Sequence, residues 1–352
     1  MKTDFNSVIF WCMANPNKIA PGNVDGDFFV DTSCISCGNC RDLAPSNFAK
    51  SGKYYVIKKQ PENALELDEV LSALICCPLG SIGTKATGAG AKQSISQALM
   101  RFPEHIEDDV FYLGFNSADS FGGKSYFIKH QDGNWMVDSP KFSSRLVKYI
   151  ESQGGLAYIF LTHRDDVAEA QAYARHFKAS RIIHKADLEA QKEAEIVFDG
   201  IETFNPHAQF TIIPTPGHTM GHSMLLYRQK FLFSGDVFTS RTYSNEDIEA
   251  WPPYYCWCDW DEQTRSIERL LSYPFEFMLP SHGRRFKGTL PETKRALEQC
   301  LKRCREEKNP DPLSFERADF FDEIALWAKQ TGQLEYAKYA ADKASSIRLK
   351  LN

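Results

Sequence analysis

Several features that would direct this chain to a membrane, to secretion or to nucleic acid are missing. The sequence has no apolar run long enough to cross a bilayer, and its N-terminus lacks a basic segment followed by a long apolar core and a small-residue cleavage site. The formal net charge is −5, with Lys and Arg scattered and no basic stripe. We therefore expect a cytoplasmic protein that binds neither nucleic acid nor a membrane.

Disulfide bonds are not expected either, although the chain contains 10 cysteines. Such a content indicates a disulfide framework in a short secreted chain, but this chain has 352 residues and no secretion signal. In that setting, clustered cysteines more often bind a metal ion or an iron–sulfur cluster. The length suits two or three domains, each with its own core.

Four cysteines have the spacing of an iron–sulfur site. The stretch CISCGNCRDLAP places Cys34, Cys37 and Cys40 at C-x2-C-x2-C, so that one tight loop can present three thiolates. The fourth ligand of such sites typically comes from a distant Cys that precedes Pro, and Cys77 precedes Pro78. We predict that these four cysteines bind one [4Fe–4S] cluster.

Residues 1–85 resemble the single-cluster bacterial-type ferredoxins on these motifs. Ala44 occupies the position at which two-cluster ferredoxins carry a further cysteine, which predicts one cluster and not two. Structural zinc is the competing interpretation, because four thiolates also suit that ion. Cys76 is expected to be a buried thiol, with replacement of Cys77 as the alternative.

The rest of the chain indicates a layered α/β domain and a helical end. The small, flexible composition of GTKATGAGAK suggests a linker, which we place at residues 86–100. Strands then alternate with helices and hairpins across residues 101–308, a pattern typical of layered domains with mixed sheets. Residues 309–352 consist mostly of helix formers and predict a helical extension.

Four separated segments share a strand that ends in a loop carrying His or Asp. Ligands at the ends of neighbouring strands can converge into one site without a contiguous motif. The segments, in chain order, are LTHRD with His163, TPGHTMGHS with His218, FSGDVF with Asp236 and LPSHG with His282.

Between Asp109 and Cys304 the chain resembles the metallo-β-lactamase fold family, on the order of these motifs and an early VDSP with Asp138. The resemblance implies an α+β protein in which a ferredoxin-like domain precedes a four-layer αββα sandwich. It assigns His163, His218 and Asp236 to a first metal ion, and His282 with shared Asp236 to a second. Asp138 matches a structural aspartate of the family.

The sequence departs from the family in its H-x-H-x-D-H motif. Asp165 occupies the second histidine position, and Val167 and Ala168 replace the Asp-His pair of the second metal. Asp165 could complete the first site and Asp166 could replace the missing aspartate, or both could cap the following helix. A carboxylate in place of imidazole shifts the metal preference from zinc toward iron or manganese.

The remaining histidines and one aromatic segment give further expectations. His222 is expected to be structural, His130 exposed, and His184 and His207 to be strand-end or surface residues. The aromatic segment WPPYYCWCDW, residues 251–260, could line a pocket near Asp236 or cover a core.

Three functions are compatible with these observations. The first is a metal-dependent hydrolase in which Asp165 or Asp166 orients a metal-bound water that attacks a small-molecule substrate. The second is an iron-dependent oxidoreductase fed by the [4Fe–4S] cluster, with a redox partner protein. The third is a non-catalytic electron-transfer or sensing protein with a degenerate lactamase-type domain.

Overall fold

The computed structural model of the chain describes residues 14–240, 247–258, 260–307 and 334–351, together with 318, 322, 325–326 and 329. Residues 1–13 with Cys12, residue 259 of the aromatic segment and most of the predicted extension before residue 334 therefore lie outside the described residues.

Residues 14–84 form a small domain built on two short antiparallel strand pairs. Strand β1 (Phe28–Val30) pairs with β4 (Ile82–Thr84), so that the two ends of the domain lie side by side. Strands β2 (Phe48–Ser51) and β3 (Tyr54–Ile57) form a hairpin between them.

Two helices of this domain carry the predicted cluster cysteines at their ends. The short α1 (Asn39–Leu43) follows Gly38, whose φ of 86° allows the sharp turn into the helix. Helix α2 (Ala64–Cys76) begins where the Asn63 side chain accepts a hydrogen bond from the Glu66 N–H. It ends before Cys77 because the following proline disfavours a helical conformation at that residue.

Helix α3 (Ala89–Met100) occupies the segment that composition indicates as a flexible linker. The expectation of flexibility is wrong for these residues, because Ile95, Ala98 and Leu99 recur at helical spacing and pack into the core. The Arg101 guanidinium then lies 2.8 Å from the Asp68 carboxylate of α2.

The larger domain contains a seven-stranded sheet with both antiparallel and parallel pairs. Its first four strands form an antiparallel meander, and the last three pair in parallel through helical crossovers. In sheet order the strands are β5 (Glu104–Glu107), β6 (Val110–Tyr112), β7 (Tyr126–Ile128), β8 (Trp135–Val137), β9 (Tyr158–Phe160), β10 (Ser180–His184) and β11 (Ile196–Phe198).

A second sheet of six strands faces the first. All neighbouring pairs are antiparallel except the fourth and fifth strands, which run in parallel. In sheet order the strands are β12 (Phe204–His207), β13 (Phe210–Pro214), β14 (Ser223–Tyr227), β15 (Phe231–Gly235), β18 (Phe277–Pro280) and β19 (Phe286–Lys287). Between them in sequence, β16 (Phe238–Thr239) pairs with β17 (Glu249–Ala250).

The two sheets pack face to face, and helices cover both outer faces. Trp135 of β8 stacks on Phe210 of β13 with ring centroids 4.2 Å apart, which fills the space between the sheets. One apolar cluster joins the outer face of the first sheet to α4 (Ser144–Ser152) and α5 (Ala170–Phe177). Another joins the second sheet to α6 (Trp260–Arg269) and α7 (Leu290–Glu306). The predicted four-layer αββα sandwich is therefore confirmed.

One hydrophobic core extends through both domains. The Phe102 ring, just after α3, packs edge-on against Tyr112 of β6 at 5.8 Å. The thiol of Cys76, the last residue of α2, is hydrogen-bonded to the same tyrosine. The small domain is thus packed on the first sheet and is not a separate body on a flexible tether.

The C-terminal part contains helix α8 (Leu334–Leu351), in agreement with the predicted helical end. Among the described residues, every helix is too short or too polar to cross a membrane.

Candidate metal centres

Four cysteine side chains line one cavity of the small domain. Cys34 and Cys37 lie in the loop before α1, Cys40 lies in its first turn, and Cys77 follows α2. The remaining wall is mainly apolar and includes Val30, Ile35, Tyr55, Pro78, Leu79 and Ile82. The four predicted ligands therefore face a common, largely dry space.

The cysteine sulfurs receive N–H donors, as iron–sulfur ligands usually do. Such donors stabilise the thiolate form and tune the potential of a bound cluster. The donor pairs are Ser36 N to Cys34 Sγ at 3.4 Å, Asn39 Nδ2 to Cys37 Sγ at 3.6 Å and Ser81 N to Cys77 Sγ at 3.2 Å.

The electrostatics of this cavity keep its cysteines protonated unless a cation compensates their thiolates. Burial, with the nearby Cys77 thiolate adding to it, raises the pKa of Cys37 to about 12. Burial and the other cysteines also hold the pKa of Cys40 well above its usual value. Four thiolates can share this space only if positive charge compensates them, and four iron ions supply it. The residues present therefore fit a [4Fe–4S] cluster.

Cys76 lies outside this cavity, although it is adjacent to Cys77. Its thiol is fully buried and points to Tyr112 of the larger domain, and burial raises its pKa to about 12. The end of α2 thus directs the Cys77 side chain into the cysteine cavity and the Cys76 side chain toward the larger domain. Cys256 is also engaged elsewhere, because its Sγ donates to the Gly217 carbonyl at 2.9 Å.

A second site lies in the larger domain, where four loops leave the carboxyl ends of β9, β13, β15 and β18. These loops bring together His163, His218, Asp236 and His282 in that order. The Asp236 carboxylate lies between the three imidazoles. Its Oδ2 is 3.7 Å from Nε2 of His163, 3.8 Å from Nε2 of His218 and 3.6 Å from Nε2 of His282.

Asp165 joins one side of this arrangement. Its Oδ2 lies 3.9 Å from Nε2 of His163 and 3.6 Å from Nε2 of His218. The ligand atoms of these three residues all lie within 4.8 Å of one another, and Asp236 borders the same space. Two imidazoles and two carboxylates therefore surround one potential metal position.

Asp166 lies on the other side of Asp236. Its side chain is only 2% exposed, and its Oδ1 is 3.9 Å from Nε2 of His282. Asp166, His282 and Asp236 therefore border a second potential metal position. Among the described residues, no further imidazole lies at this position to replace the one missing at Ala168.

Helix capping does not account for the two aspartates. Residues Arg164–Asp166 form a 3-10 turn, and α5 begins later, at Ala170, with Glu169 in the cap position. The capping interpretation of Asp165 and Asp166 is therefore wrong. The extra residues between the turn and the helix leave both carboxylates free to face the histidines.

Five buried side-chain atoms at this site have no hydrogen-bond partner within the described part of the chain. An unpaired buried polar atom is costly, so a cluster of such atoms fits a site that binds a cation. The atoms are Nε2 of His163, Nε2 of His218, Oδ1 of Asp165, Oδ2 of Asp166 and Oδ1 of Asp236.

The pKa shifts at the site agree with a cation position. Burial, reinforced by the negative charges of Asp236 and Asp138, raises the pKa of Asp166 well above its usual range. Burial and the neighbouring imidazoles hold the pKa of His163 well below 6.5, which leaves it neutral. The carboxylates of Asp165 and Asp236 outweigh burial and raise the pKa of His218. A metal ion at the site would therefore displace protons from Asp166 and His218, whereas His163 is already neutral.

Hydrogen bonds fix the tautomers of two histidines. Thr162 Oγ1 donates to the Asp138 carboxylate, so the Nδ1–H of His163 donates to Thr162 at 3.0 Å. Nδ1 of His218 donates to the Tyr255 carbonyl at 2.7 Å. Both arrangements leave the Nε2 lone pair directed at the metal positions.

His222 is not a ligand, in keeping with the structural role expected for it. Its Nε2 accepts the backbone N–H of Asp236 at 3.2 Å, while Nδ1 pairs with Thr215 Oγ1 at 2.8 Å. A Cβ at Gly235 would lie 2.4 Å from this Nε2, so only glycine permits the contact. His222 therefore positions the carboxylate that both metal positions share.

The Asp138 carboxylate connects two of the loops that carry the candidate ligands. It accepts hydrogen bonds from the backbone N–H and hydroxyl of Thr162, and from the Ser281 hydroxyl at 3.1 Å. Because Thr162 precedes His163 and Ser281 precedes His282, this single carboxylate aligns ligands of both positions. The structural role that the resemblance implies for Asp138 agrees with this geometry.

Sequence reasoning missed two contributors to the site. Asp187 accepts hydrogen bonds from Arg164 N at 3.1 Å and Thr219 Oγ1 at 2.6 Å, which ties the first two ligand loops together. The pair Gly122–Gly123 lies against a cluster ligand and against Asp166. The position of Asp187 after a strand and the double glycine were the available signals.

One other histidine differs from expectation. His130 was expected to be exposed but is buried, because its ring packs against Phe210 and Tyr227. Both ring nitrogens are paired there, with Asp132 N at 3.2 Å and Gln209 at 3.0 Å. His207 lies nearby, with Nε2 3.1 Å from Asp132. His184 ends β10, as expected for a strand-end residue.

Comparison with known proteins agrees with both parts of the chain. Residues 30–84 match the family described as "4Fe-4S single cluster domain of Ferredoxin I". The hydroxyacylglutathione hydrolase of Salmonella arizonae is 26% identical over 132 residues, which are 36% of this chain and 52% of that protein. The same values hold for the hydroxyacylglutathione hydrolase of Salmonella typhi. The chain thus spans about half the length of the curated relatives it matches.

Solved structures of similar proteins include two metallo-β-lactamases. The enzyme from Hirschia baltica is 15% identical, with 57% of this chain and 95% of that chain covered and a TM-score of 0.44. The enzyme from Pontibacter korlensis is 16% identical, with 58% and 98% covered and a TM-score of 0.43.

The small domain is a single-cluster ferredoxin domain, and the αββα domain has the metallo-β-lactamase fold. The chain as a whole is an iron–sulfur protein that joins these two domains in one core and carries a candidate metal-binding His/Asp group in the second. Both resemblances predicted from the sequence are confirmed.

Proposed function

We propose that this protein is a metal-dependent hydrolase that cleaves an acyl bond at the site around Asp236. The observation that carries the proposal is the position of Asp236 Oδ2, which lies within 3.8 Å of three imidazole nitrogens that belong to two ligand groups. A carboxylate so placed suits a bridge between two metal ions.

The donor atoms favour iron or manganese over zinc. The first group offers two imidazoles with Asp165 and Asp236, and the second offers His282 with Asp166 and Asp236. Carboxylate oxygens are harder ligands than imidazole, and zinc gains less from them. The second position has one imidazole, so we expect it to bind its ion more weakly.

A metal ion held by these residues would supply a water activated at neutral pH and a Lewis acid for the carbonyl group. The side chains of the protein orient the attacking water. Asp165 and Asp166 flank Asp236 from opposite sides, so that either carboxylate can accept a hydrogen bond from the attacking water. His163 and His218 hold fixed tautomers, and they keep that geometry through the reaction.

Two aromatic rings lie beside the histidines and form an apolar flank for a substrate. The Trp257 ring centroid is 5.7 Å from that of His218, and the Phe121 centroid is 6.4 Å from that of His282. Trp257 belongs to the aromatic segment for which a pocket wall and a core cover were the two expectations, and Cys256 and Trp260 of that segment pack in the core. The names of the curated relatives support a hydroxyacyl thioester as the first substrate class to test.

The test is hydrolysis of a hydroxyacylglutathione by anaerobically purified protein, stripped with a chelator and reloaded with Fe²⁺, Mn²⁺ or Zn²⁺. We expect turnover that needs added metal and falls at least about 100-fold in Asp165→Asn or Asp166→Asn. Asp132→Asn, which removes an exposed carboxylate outside the site, is the matched control and should keep full activity.

A parallel panel of carboxylic esters and phosphoesters defines the acyl specificity. Stoichiometric metal at the site with no turnover of any thioester or ester would refute the proposal. Turnover of phosphoesters alone would retain a metal-dependent hydrolase but replace the substrate class.

A further inference from the structure

One loop of the larger domain touches both metal centres. Gly122 lies against the cluster cavity, and a Cβ built on it would be 3.1 Å from Cys37 Sγ and 2.7 Å from Asn39 Nδ2. Its φ of 86° adds a second reason for glycine at this position. The main chain of the larger domain is therefore in direct contact with the side chain of a cluster ligand.

The next residue approaches the second centre. A Cβ built on Gly123 would lie 2.8 Å from Oδ1 of Asp166, the carboxylate that also faces His282. A side chain at either glycine would force the two centres apart. The consecutive glycines leave only main chain between Cys37 and Asp166.

The separation that results is short. Consecutive Cα atoms are about 3.8 Å apart and each Cβ position is about 1.5 Å from its Cα, so the Cys37 sulfur and the Asp166 carboxylate lie within about 13 Å of each other.

Hydrogen bonds hold this loop in place from both domains. The Asn39 amide donates to the Gly122 carbonyl at 2.5 Å as well as to Cys37 Sγ, and the Asn116 amide donates to the same carbonyl at 2.9 Å. Lys124 follows directly and donates from Nζ to the Gly283 carbonyl, next to His282, at 2.7 Å. The loop is thus fixed to a cluster ligand at one end and to a metal-site loop at the other.

We infer that the Gly122–Gly123 contact is an electron-transfer route between the [4Fe–4S] cluster and a redox-active ion at the position bordered by Asp166 and His282. The inference rests on metal binding at the site of the proposed function and not on hydrolysis there. It gives the cluster a role beyond stabilising the fold.

The transfer balances as a one-electron exchange. The reduced cluster, [4Fe–4S]¹⁺, is oxidised to [4Fe–4S]²⁺, and a ferric ion at the second centre is reduced to ferrous. No covalent bond forms or breaks. A low-potential one-electron carrier returns the cluster to its reduced state.

The experiment uses the full chain with natural-abundance iron in the cluster and ⁵⁷Fe³⁺ added to the second centre. One electron equivalent of dithionite is mixed in anaerobically, and samples are frozen at intervals. Electron paramagnetic resonance follows the reduced cluster, and Mössbauer spectroscopy follows the added ⁵⁷Fe. Protein loaded with zinc, which accepts no electron, is the control.

We expect the signal of the reduced cluster to appear and then decay in the iron-loaded protein while ferrous ⁵⁷Fe accumulates in equal amount. The signal should persist in the zinc-loaded protein. Gly123→Ala should slow the decay at least tenfold, because its methyl group displaces Asp166. Gly90→Ala, at a helical glycine with open space around its Cβ position, should leave the rate unchanged.

Three results would overturn the inference. The first is a cluster signal that lasts as long with iron as with zinc. The second is a rate in Gly123→Ala equal to that of Gly90→Ala. If Gly123→Ala loses its added iron, Asn116→Ala replaces it, because this change removes a hydrogen bond to the Gly122 carbonyl and leaves the ligands of both centres in place, and an unchanged rate there has the same meaning. The third is a site that takes up no iron, whereas only a site that takes up none of iron, manganese and zinc also refutes the proposed function. Electron transfer without hydrolysis refutes only the hydrolase.

Discussion

Lys124 and Asp42 form a buried ion pair across the two domains, with Nζ 3.4 Å from Oδ2 and side chains only 3% and 4% exposed. Burial lowers the pKa of Lys124, while Asp42 favours its charged form. Removal of one partner of a buried pair leaves the other charge uncompensated, which is a larger loss than the pair is worth.

The first prediction is that Lys124→Met destabilises the protein by about 3 kcal/mol. Asp42 retains Arg41 at 3.1 Å on its exposed side, so we expect the lower end of the usual range. Anaerobic urea unfolding measures the effect. The double variant Lys124→Met with Asp42→Asn should recover most of the loss, and a single variant as stable as the parent would contradict the ion pair.

The second prediction separates the adjacent cysteines. Cys77→Ser should abolish the visible absorption of the cluster, because it removes a thiolate from the cavity, whereas Cys76→Ser should retain it. At pH 8 the Cys76 thiol lies far below its pKa of about 12 and is buried, so iodoacetamide should not label it. The exposed Cys258 should be labelled in the same sample, which mass spectrometry can show. Loss of the cluster in Cys76→Ser alone would reverse the assignment.

The third prediction concerns metal stoichiometry at the second centre. Asp236→Ala should eliminate metal binding at both positions, because its carboxylate is the part that they share. Asp166→Asn should lose only the more weakly bound ion and Asp165→Asn should weaken the other. Elemental analysis after subtraction of the four cluster irons provides the measurement. Two ions retained in Asp236→Ala would exclude the bridging arrangement.

The fourth prediction is a pH dependence of stability in protein whose second centre is metal-free. Burial, with Asp236 adding to it, raises the pKa of Asp138 to about 7, although hydrogen bonds from Thr162 and Ser281 oppose the shift. Between about pH 4 and pH 7 the folded state therefore binds more protons than the unfolded chain. The free energy of unfolding should fall as pH rises through this range.

Asp138→Asn tests that dependence, because the amide oxygen can accept the same hydrogen bonds from Thr162 but cannot ionise. Urea unfolding at several pH values should show a flatter profile for the variant. Parallel profiles for parent and variant would assign the pH dependence to other groups.

The local parts of both centres could be predicted from the sequence. The spacing of Cys34, Cys37 and Cys40 places three thiolates on one loop regardless of the rest of the fold. The strand-end positions of His163, His218, Asp236 and His282 likewise predict convergence, because strands of a sandwich end at common edges.

Features that depend on packing between distant segments could not be predicted. The choice for Asp166 between a helix cap and a metal position depends on where α5 begins, and Ala170 is set by packing on the sheet. The contact of Gly122 with Asn39 joins residues 83 apart in sequence. The composition of residues 89–100 suggests a flexible segment, but packing against the apolar surface of α2 favours a helix there.

Because the side chains of Cys76 and Cys77 point in different directions, oxidation of the cluster can affect the larger domain. Oxidative loss of the cluster would release Cys77 from its ligand position at the end of α2, and the neighbouring residue contacts Tyr112 in the shared core. Loss of the cluster should therefore disturb the packing around β6 of the larger domain. We therefore expect exposure to air to reduce the stability of the larger domain through the cluster of the smaller one.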